Sequence, residues 1–150
     1  MNKALVFFKS QIGKDSSQSP SPLMRWLNPR LLSAEAGLLE FSYTIREEMT
    51  NPMQTLHGGI TAAIMDDALG AAVFSLGNTH LYTTINLNVD YFSTAKEGDT
   101  VIAKTSVIKR GTLIINVQCE IWNADKTRMI AKGYSNLLKT TIENLGAISS

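Results

Sequence analysis

The chain has 150 residues, of which 44% are hydrophobic and 18% are charged. This composition is that of a folded globular protein and excludes an intrinsically disordered chain. With a net charge of +1 the chain has no overall field that favours nucleic acid or an anionic membrane, and only local basic clusters could bind phosphate. One cysteine excludes an internal disulfide, and the presence of only two histidines argues against a zinc site. We therefore expect no metal, no nucleic-acid partner and no membrane partner.

The start of the chain does not match a secretory signal. Its apolar run, residues 4–8, is shorter than the roughly 7–15 residues of a signal-peptide core. No stretch reaches the roughly 20 apolar residues that a membrane span needs. We expect a cytoplasmic protein.

The first 30 residues predict a segment of short helices and linker within a single domain that spans all 150 residues. Residues 2–12 predict a short helix with apolar side chains on one stripe. Residues 13–22 are rich in serine and proline and predict a flexible linker. Ser21, followed by a proline, caps a second brief helix that ends near Asn28.

The rest of the chain predicts one long helix among antiparallel strands. Residues from Gly58 to Leu76 are nearly all apolar or small, and Gly77 closes the helix. Such a helix should be buried nearly all round, which requires a strongly curved sheet. The predicted fold class is α+β, with the long central helix wrapped by a curved antiparallel sheet of five to six strands. The predicted strands are residues 31–35, 38–46, 83–92, 100–109, 112–122 and 128–140.

Three side-chain placements follow from the strand pattern. In the strand 83–92, apolar and β-branched residues occupy every second position and predict one continuous core face. Cys119 lies in phase with apolar neighbours, so we expect a buried and inert thiol. His80, in the turn after the helix, is expected in an exposed loop. The alternating residues of the strand are Thr83, Ile85, Leu87, Val89 and Tyr91.

The most informative residues are the His-Gly-Gly step that opens the long helix. The first N–H groups of a helix have no intrahelical acceptor, and the helix dipole favours negative charge there. Gly58 and Gly59 are therefore candidate donors to the oxygen of a polarised carbonyl group. The alternative is an ordinary helix start, in which small residues only help packing.

Two carboxylates, Asp66 and Asp67, follow inside the same apolar helix. A solvated face explains them poorly, because their neighbours leave little polar surface. Gly58 precedes Asp66 by eight residues, a rise of about 12 Å along a helix. A carboxylate that far away cannot act on a carbonyl held at its own helix start. If both groups act on one substrate, they come from two copies of the chain, and a homodimer is obligatory.

Three further candidates are not diagnostic alone. His57 is a base, an orienting donor or simply a hydrogen-bonded residue of the first turn. Asn51 is also typical of a turn, and Thr84 is also typical of a strand. Serine hydrolases, P-loop NTPases and zinc proteases are unsupported, because the sequence contains none of their motifs.

A set of short motifs runs through the chain in a fixed order and spacing. They are Thr50-Asn51, Thr55-Leu56-His57-Gly58-Gly59, Asp66, residues 84–95, Glu97-Gly98-Asp99-Thr100 and Lys109-Arg110-Gly111. With these motifs the chain resembles the hotdog-fold acyl-CoA thioesterases of the PaaI type. The resemblance covers roughly residues 40–140.

This resemblance implies hydrolysis of an acyl- or aryl-CoA thioester to the free acid and CoA, with no cofactor besides the substrate's own CoA. The Gly58 N–H would polarise the thioester carbonyl, and Asp66 of a second subunit would act as general base or as nucleophile. Asn51 and His57 would orient the nucleophile or the thioester, and Thr84 would hold water. The resemblance also implies a dimer and a tetramer formed from two dimers.

The resemblance extends to the CoA moiety, whose phosphates need donors. Gly59, Lys109, Arg110 and Gly111 are the candidate CoA-binding residues, and Gly111 would let the backbone approach the CoA. Further candidates near the C-terminal turns are Lys126, Arg128 and Lys132, each of which is also explained as an ordinary solvated cation.

Asp67 departs from the family pattern. If both aspartates were buried together, one of them would be protonated. Adjacent helical residues point about 100° apart, so we assign the chemistry to Asp66.

Two other functions compete with hydrolysis. A non-catalytic acyl-CoA-binding regulatory module would use the same fold, but the first 30 residues are too short for a DNA-binding domain and Asp66 is retained. Hydration or dehydration of an acyl thioester would need a different acid–base pattern. The sequence does not specify the acyl group of the substrate.

Overall fold

The computed structural model describes residues 1–145. The helices are α1 (Lys3–Gln11), α2 (Pro22–Leu27) and α3 (Gly58–Phe74), with a 3-10 turn at Glu47–Met49. The strands are β1 (Arg30–Glu35), β2 (Leu38–Thr44), β3 (His80–Tyr91), β4 (Thr100–Arg110), β5 (Ile114–Asn123) and β6 (Met129–Glu143).

The six strands form one sheet in the order β1-β2-β4-β5-β6-β3, and every neighbouring pair is antiparallel. Helix α3 packs against β2, β3, β4, β5 and β6. Fully buried side chains from α3 and from the sheet form the core between them, which stabilises the α3–sheet arrangement. The predicted α+β arrangement of one central helix and five to six strands is confirmed. Among these core residues are Tyr43, Ile64, Met65, Ile115 and Ile121.

Helix α3 is less enclosed than its sequence predicts. Gly59, Asp66 and Gly70 are exposed, and Ala62 and Ala63 between them are half-buried. These positions recur at the spacing of one helical face. The helix is therefore buried on all sides except for a narrow strip of small residues around one carboxylate, which we call the α3 strip.

Strand β3 begins at His80, so the prediction of an exposed loop at this residue is wrong. The side chain of His80 is half-buried. The sequence prediction started the strand three residues later, because the polar residues after Gly77 are typical of a turn.

The predicted continuous core face of β3 is also wrong. The register between β3 and β6 shifts between Thr84 and Asn86, so Ile85 lies in a bulge and is exposed. A bulge adds one residue to a strand and reverses which side chains face the core. Leu87 and Val89 pack on the core after the bulge.

The N-terminal segment packs on the rest of the chain. Helices α1 and α2 are confirmed, and Asn28, the residue after α2, adopts a left-handed conformation. The segment between them differs from the predicted flexible linker, because the Gly13 N–H donates to the Leu31 carbonyl at 2.8 Å. The Ser16 hydroxyl likewise donates to the Pro29 carbonyl at 2.7 Å.

The remaining side-chain prediction concerns Cys119, which is fully buried. Burial, and secondarily the charge of the nearby Glu120, raises the pKa of its thiol to about 12. The reactive thiolate is therefore almost absent at neutral pH, as predicted. Over residues 1–145 no helix is long and apolar enough to cross a membrane, and no group of three or more His, Cys, Asp or Glu side chains is placed to hold a metal ion.

Candidate active site

The start of α3 presents two backbone N–H groups that have no acceptor within residues 1–145, those of Gly58 and Ile60. The His57 side chain caps the helix, because its Nδ1 accepts a hydrogen bond from the Gly59 N–H at 2.9 Å. This contact corrects the prediction that both glycines donate to a substrate carbonyl. Within residues 1–145, the Gly58 N–H donates to no acceptor, so Gly58 is the candidate oxyanion donor.

The position of this donor is fixed from two sides. The His57 N–H donates to the Met49 carbonyl at 2.9 Å, which ties the helix start to the preceding 3-10 turn. The Tyr91 hydroxyl donates to the Gly58 carbonyl at 2.6 Å. Sequence reasoning missed Tyr91, because no local signal links the end of β3 to a residue 33 positions earlier.

Asn51 stabilises the turn that leads into this helix start. Its Oδ1 accepts from the Met53 N–H at 3.0 Å and from the Thr55 N–H at 3.2 Å. Its Nδ2 donates to the Thr55 hydroxyl at 3.0 Å. The structure thus gives Asn51 the turn role that its residue type favours.

Asp66 and Thr84 are brought together from α3 and β3. The Thr84 hydroxyl donates to the Asp66 Oδ1 at 2.8 Å, and both residues are exposed. Thr84 lies beside the β3 bulge, and bulges commonly direct side chains at functional sites. One carboxylate oxygen is thereby held in place, while Oδ2 accepts no hydrogen bond from residues 1–145 and is available to a water or a carbonyl carbon.

The Asp67 side chain is less accessible to water than the Asp66 side chain. It is half-buried, and its Oδ2 has no hydrogen-bond partner within the described residues. Burial, and secondarily the charge of Asp66, raises the pKa of Asp67 from 3.8 to about 6. The buried Tyr43 hydroxyl also lacks a partner in that part of the chain, and its pKa is raised by burial and then by Asp67.

A groove of about 520 Å³ opens beside the carboxylates, between α1, α2 and α3. Asp66, Asp67 and Thr84 lie on its wall. Most of the other lining residues are apolar, and about half of them come from the N-terminal segment. Sequence reasoning missed this groove, because it depends on residues of α1 and α2 that are far from α3 in the chain.

The candidate cations do not form one cluster. Lys109 and Arg110 lie at the β4–β5 hairpin, whereas Arg128 lies at the β5–β6 turn, and ten residues of β5 separate the two ends by about 30 Å. The Lys126 ammonium pairs with the Glu40 carboxylate at 2.6 Å. The Lys132 ammonium lies 5.4 Å from the centre of the Tyr134 ring.

The β4–β5 hairpin lies near the end of α3. The Arg110 guanidinium donates to the Asn78 Oδ1 at 2.7 Å. Arg110, His80 and Lys139 line a cleft of about 310 Å³ together with Gly111. The sequence predicted Arg110 and Gly111 as binding residues but not His80 or Lys139. The glycine at position 111 is explained by local packing, because a Cβ there would collide with the Ile114 carbonyl oxygen.

The candidate site residues therefore form two separate groups along α3, which we call half-sites. His57 and Gly58 form one at its start, and Asp66 with Thr84 forms the other, eight residues along α3 from Gly58. No hydrogen bond within residues 1–145 joins the two half-sites. A carbonyl held by the first lies about 12 Å from the carboxylate of the second.

The sequence model of the thioesterase superfamily matches residues 53–130, which include both half-sites. The chain belongs to the thioesterase superfamily. Membership in this family confirms the prediction that the protein is a thioester hydrolase. Human acyl-coenzyme A thioesterase 13 is 29% identical over 103 residues, which cover 69% of this chain and 74% of the human protein.

Solved structures agree on the fold of this thioesterase-superfamily chain. The Escherichia coli PaaI protein superposes with a TM-score of 0.80 at 19% identity, covering 94% of this chain and 96% of PaaI. A Streptococcus mutans protein bound to acetyl CoA gives a TM-score of 0.71 at 21% identity, covering 75% and 89% of the two chains. The hotdog fold predicted from the sequence is confirmed.

Proposed function

We propose that the protein hydrolyses an acyl- or aryl-CoA thioester to the free acid and CoA at a site shared between two subunits. The observation that carries the proposal is the Asp66–Thr84 pair at the wall of an apolar groove. A carboxylate held by one hydroxyl beside an apolar cavity suits attack on the carbonyl of an acyl group. The similarity to human acyl-coenzyme A thioesterase 13 supports CoA as the thiol.

Each half-site has a chemical role in this proposal. The Gly58 N–H, strengthened by the α3 dipole, donates to the thioester oxygen as it becomes negative in the tetrahedral intermediate. Asp66 of the second subunit either removes a proton from water or attacks the carbonyl carbon itself. The Thr84 hydroxyl fixes the Asp66 carboxylate, while Asn51 and His57 hold the first half-site in shape.

The two roles of Asp66 predict different products in a single turnover with excess enzyme. If Asp66 activates water, one oxygen atom of the released acid comes from the solvent. If Asp66 attacks, CoA leaves and an acyl-aspartyl anhydride forms, and water attacking its aspartyl carbon places the solvent oxygen in Asp66. After reaction in water labelled with a heavy oxygen isotope, label detected in Asp66 by mass spectrometry identifies the anhydride route, because activated water never places its oxygen there.

The arrangement of α3 supports a twofold dimer. When two identical helices cross antiparallel, Gly58 of one meets Asp66 of the other if the axis passes near the midpoint, residue 62. Ala62 and Ala63, half-buried in the α3 strip, occupy this position. Small side chains let two helix backbones approach closely, so the crossing is sterically open.

Strand β3 also supports association. It is an edge strand of 12 residues, and within the described chain its outer edge has no partner strand. Exposed apolar side chains lie along and just after it, namely Ile85, Tyr91 and Phe92. A long unprotected edge of this kind is suited to pairing with a second chain. A further pairing of dimers into tetramers is also proposed, and native mass spectrometry would test it.

CoA recognition is assigned to backbone and cationic groups near the site. We assign Arg110 and Gly111 to the phosphates, together with Lys139 in the same cleft and with Lys109, which precedes Arg110 at the end of β4. Gly59 would contribute only by leaving room for the CoA, because its N–H already donates to His57. The proposed reaction uses no metal and no added cofactor, so chelators should not change its rate. A cytoplasmic location stays a prediction that cell fractionation would test.

The test is a free-thiol release assay over a panel of acyl- and aryl-CoA substrates. Asp66→Asn should lower kcat by at least about a thousandfold while the circular dichroism spectrum stays unchanged. Glu97→Gln, an exposed carboxyl-to-amide change in a turn, is the matched control and should keep full activity. Substrate binding without turnover in the unsubstituted protein would favour the regulatory-module alternative instead.

A further inference from the structure

The groove beside Asp66 has both polar and apolar lining residues. Its two carboxylates come from α3, and its hydroxyl groups come from β3 and from the N-terminal segment. Its volume of about 520 Å³ falls within the range of small-molecule sites. Its apolar lining comes mainly from α1, α2 and α3. The main apolar contributors are Phe7, Phe8, Leu23, Met24, Phe74 and Leu137.

Gly70 leaves space in this groove. It lies within α3, one turn after Asp66 and one turn before the end of the helix, and glycine is a poor residue for a helix interior. A Cβ built at Gly70 would meet no atom within 4 Å, so packing within the described chain does not require glycine. The open volume above Gly70 belongs to the groove and is available to a ligand.

A second cavity of about 200 Å³ lies behind the groove, toward β1 and β2. Phe7, Phe8, Ser19 and Met24 line both cavities and therefore form the partition between them. Phe8 is buried and packs edge-to-face on Phe74, with ring centres 6.2 Å apart. Met24 is only half-buried and has a flexible, unbranched side chain, which makes it the adaptable part of this partition.

We propose that the aliphatic chain of a fatty acyl thioester lies in this groove, over Gly70, and that Phe8 and Met24 set its maximum length. This inference rests on the proposed function and adds the substrate class and the residues that select it. The acyl carbon lies at Asp66, and the chain runs between α1, α2 and α3 toward the partition. Each methylene that the groove buries should raise kcat/KM about fourfold, until the chain end reaches the partition.

Two substitutions move this limit in opposite directions. Met24→Ala opens the partition toward the second cavity, so longer chains become better substrates. Gly70→Leu fills the groove, so long chains lose kcat/KM by at least about tenfold while short chains are still hydrolysed. Val6→Ala, on the exposed face of α1, is the control and should leave the profile unchanged.

The experiment measures kcat/KM for straight-chain substrates from acetyl- to palmitoyl-CoA with each variant. A rise with chain length to a limit, shifted up by Met24→Ala and down by Gly70→Leu, supports the inference. Hydrolysis with a flat profile, a preference for aryl-CoA over every aliphatic chain, or a limit that Met24→Ala does not move would overturn it and leave the proposed hydrolysis intact. No hydrolysis at any chain length would refute both.

Discussion

Replacing Asp67 with asparagine should stabilise the protein, and the gain should grow with pH. The Asp67 carboxyl is half-buried, and its Oδ2 has no partner within residues 1–145. Burial, followed by the charge of Asp66, raises its pKa from 3.8 to about 6. Asparagine has the same shape and no charge, so Asp67→Asn removes the ionisation and little else.

The magnitude follows from linkage between protonation and folding. Between about pH 4 and pH 6 the folded protein keeps the Asp67 proton while the unfolded chain loses it. The folded state then binds more protons, so its stability falls as the pH rises through this window. Each pH unit of difference between the two pKa values corresponds to about 1.4 kcal/mol, so the full loss above the window is about 3 kcal/mol.

The assay is urea unfolding followed by circular dichroism, at one protein concentration, from about pH 4 to about pH 8. The difference in unfolding free energy between Asp67→Asn and the unsubstituted protein should increase by about 3 kcal/mol across this range. Glu97→Gln, a carboxyl-to-amide change at an exposed turn position, serves as the control. A constant difference for Asp67→Asn would show that the Asp67 carboxyl ionises normally in the fold, and the reasoning would be wrong.

Three further substitutions test separate parts of the site. Thr84→Ala removes the hydroxyl that holds Asp66 and should lower kcat/KM by about 10- to 100-fold, whereas Thr84→Ser should keep most activity; equal loss in both would contradict this role. Ala62→Arg places two like charges across the proposed twofold axis, so sedimentation should show a monomer, and this monomer should be inactive. The control Ala36→Arg, at an exposed position, should leave a dimer. Gly111→Ala forces a Cβ against the Ile114 carbonyl and should cost about 2 kcal/mol of unfolding free energy; an unchanged melting temperature would refute the collision.

Features set by local sequence were predictable. Gly58 and Gly77 mark the limits of the region that contains α3, and Gly77 has φ +72°, which suits glycine at a helix end. The separation of Gly58 and Asp66 followed from helical rise alone. The placement of Cys119 in the core followed from its phase with apolar neighbours.

Features set by contacts between distant segments were not predictable. The β3 bulge depends on pairing with β6, and nothing in the regular alternation around Ile85 announces it. Whether Gly58 or Gly59 keeps a free N–H depends on the orientation of the His57 ring, which no residue pattern fixes. The groove depends on how α1 and α2 fold back, and a serine-rich segment between them predicted no such contact.

The central claim is that each site is shared between two subunits, and subunit mixing tests it most directly. His57→Ala and Asp66→Asn should each be nearly inactive alone. When the two variants are co-expressed, a mixed dimer has one site with both residues intact and one with neither. Half of the dimers are mixed and half of their sites are intact, so about a quarter of the unsubstituted activity should return. If each site lies within one chain, no mixed dimer contains an intact site, and the mixture would stay as inactive as the variants alone.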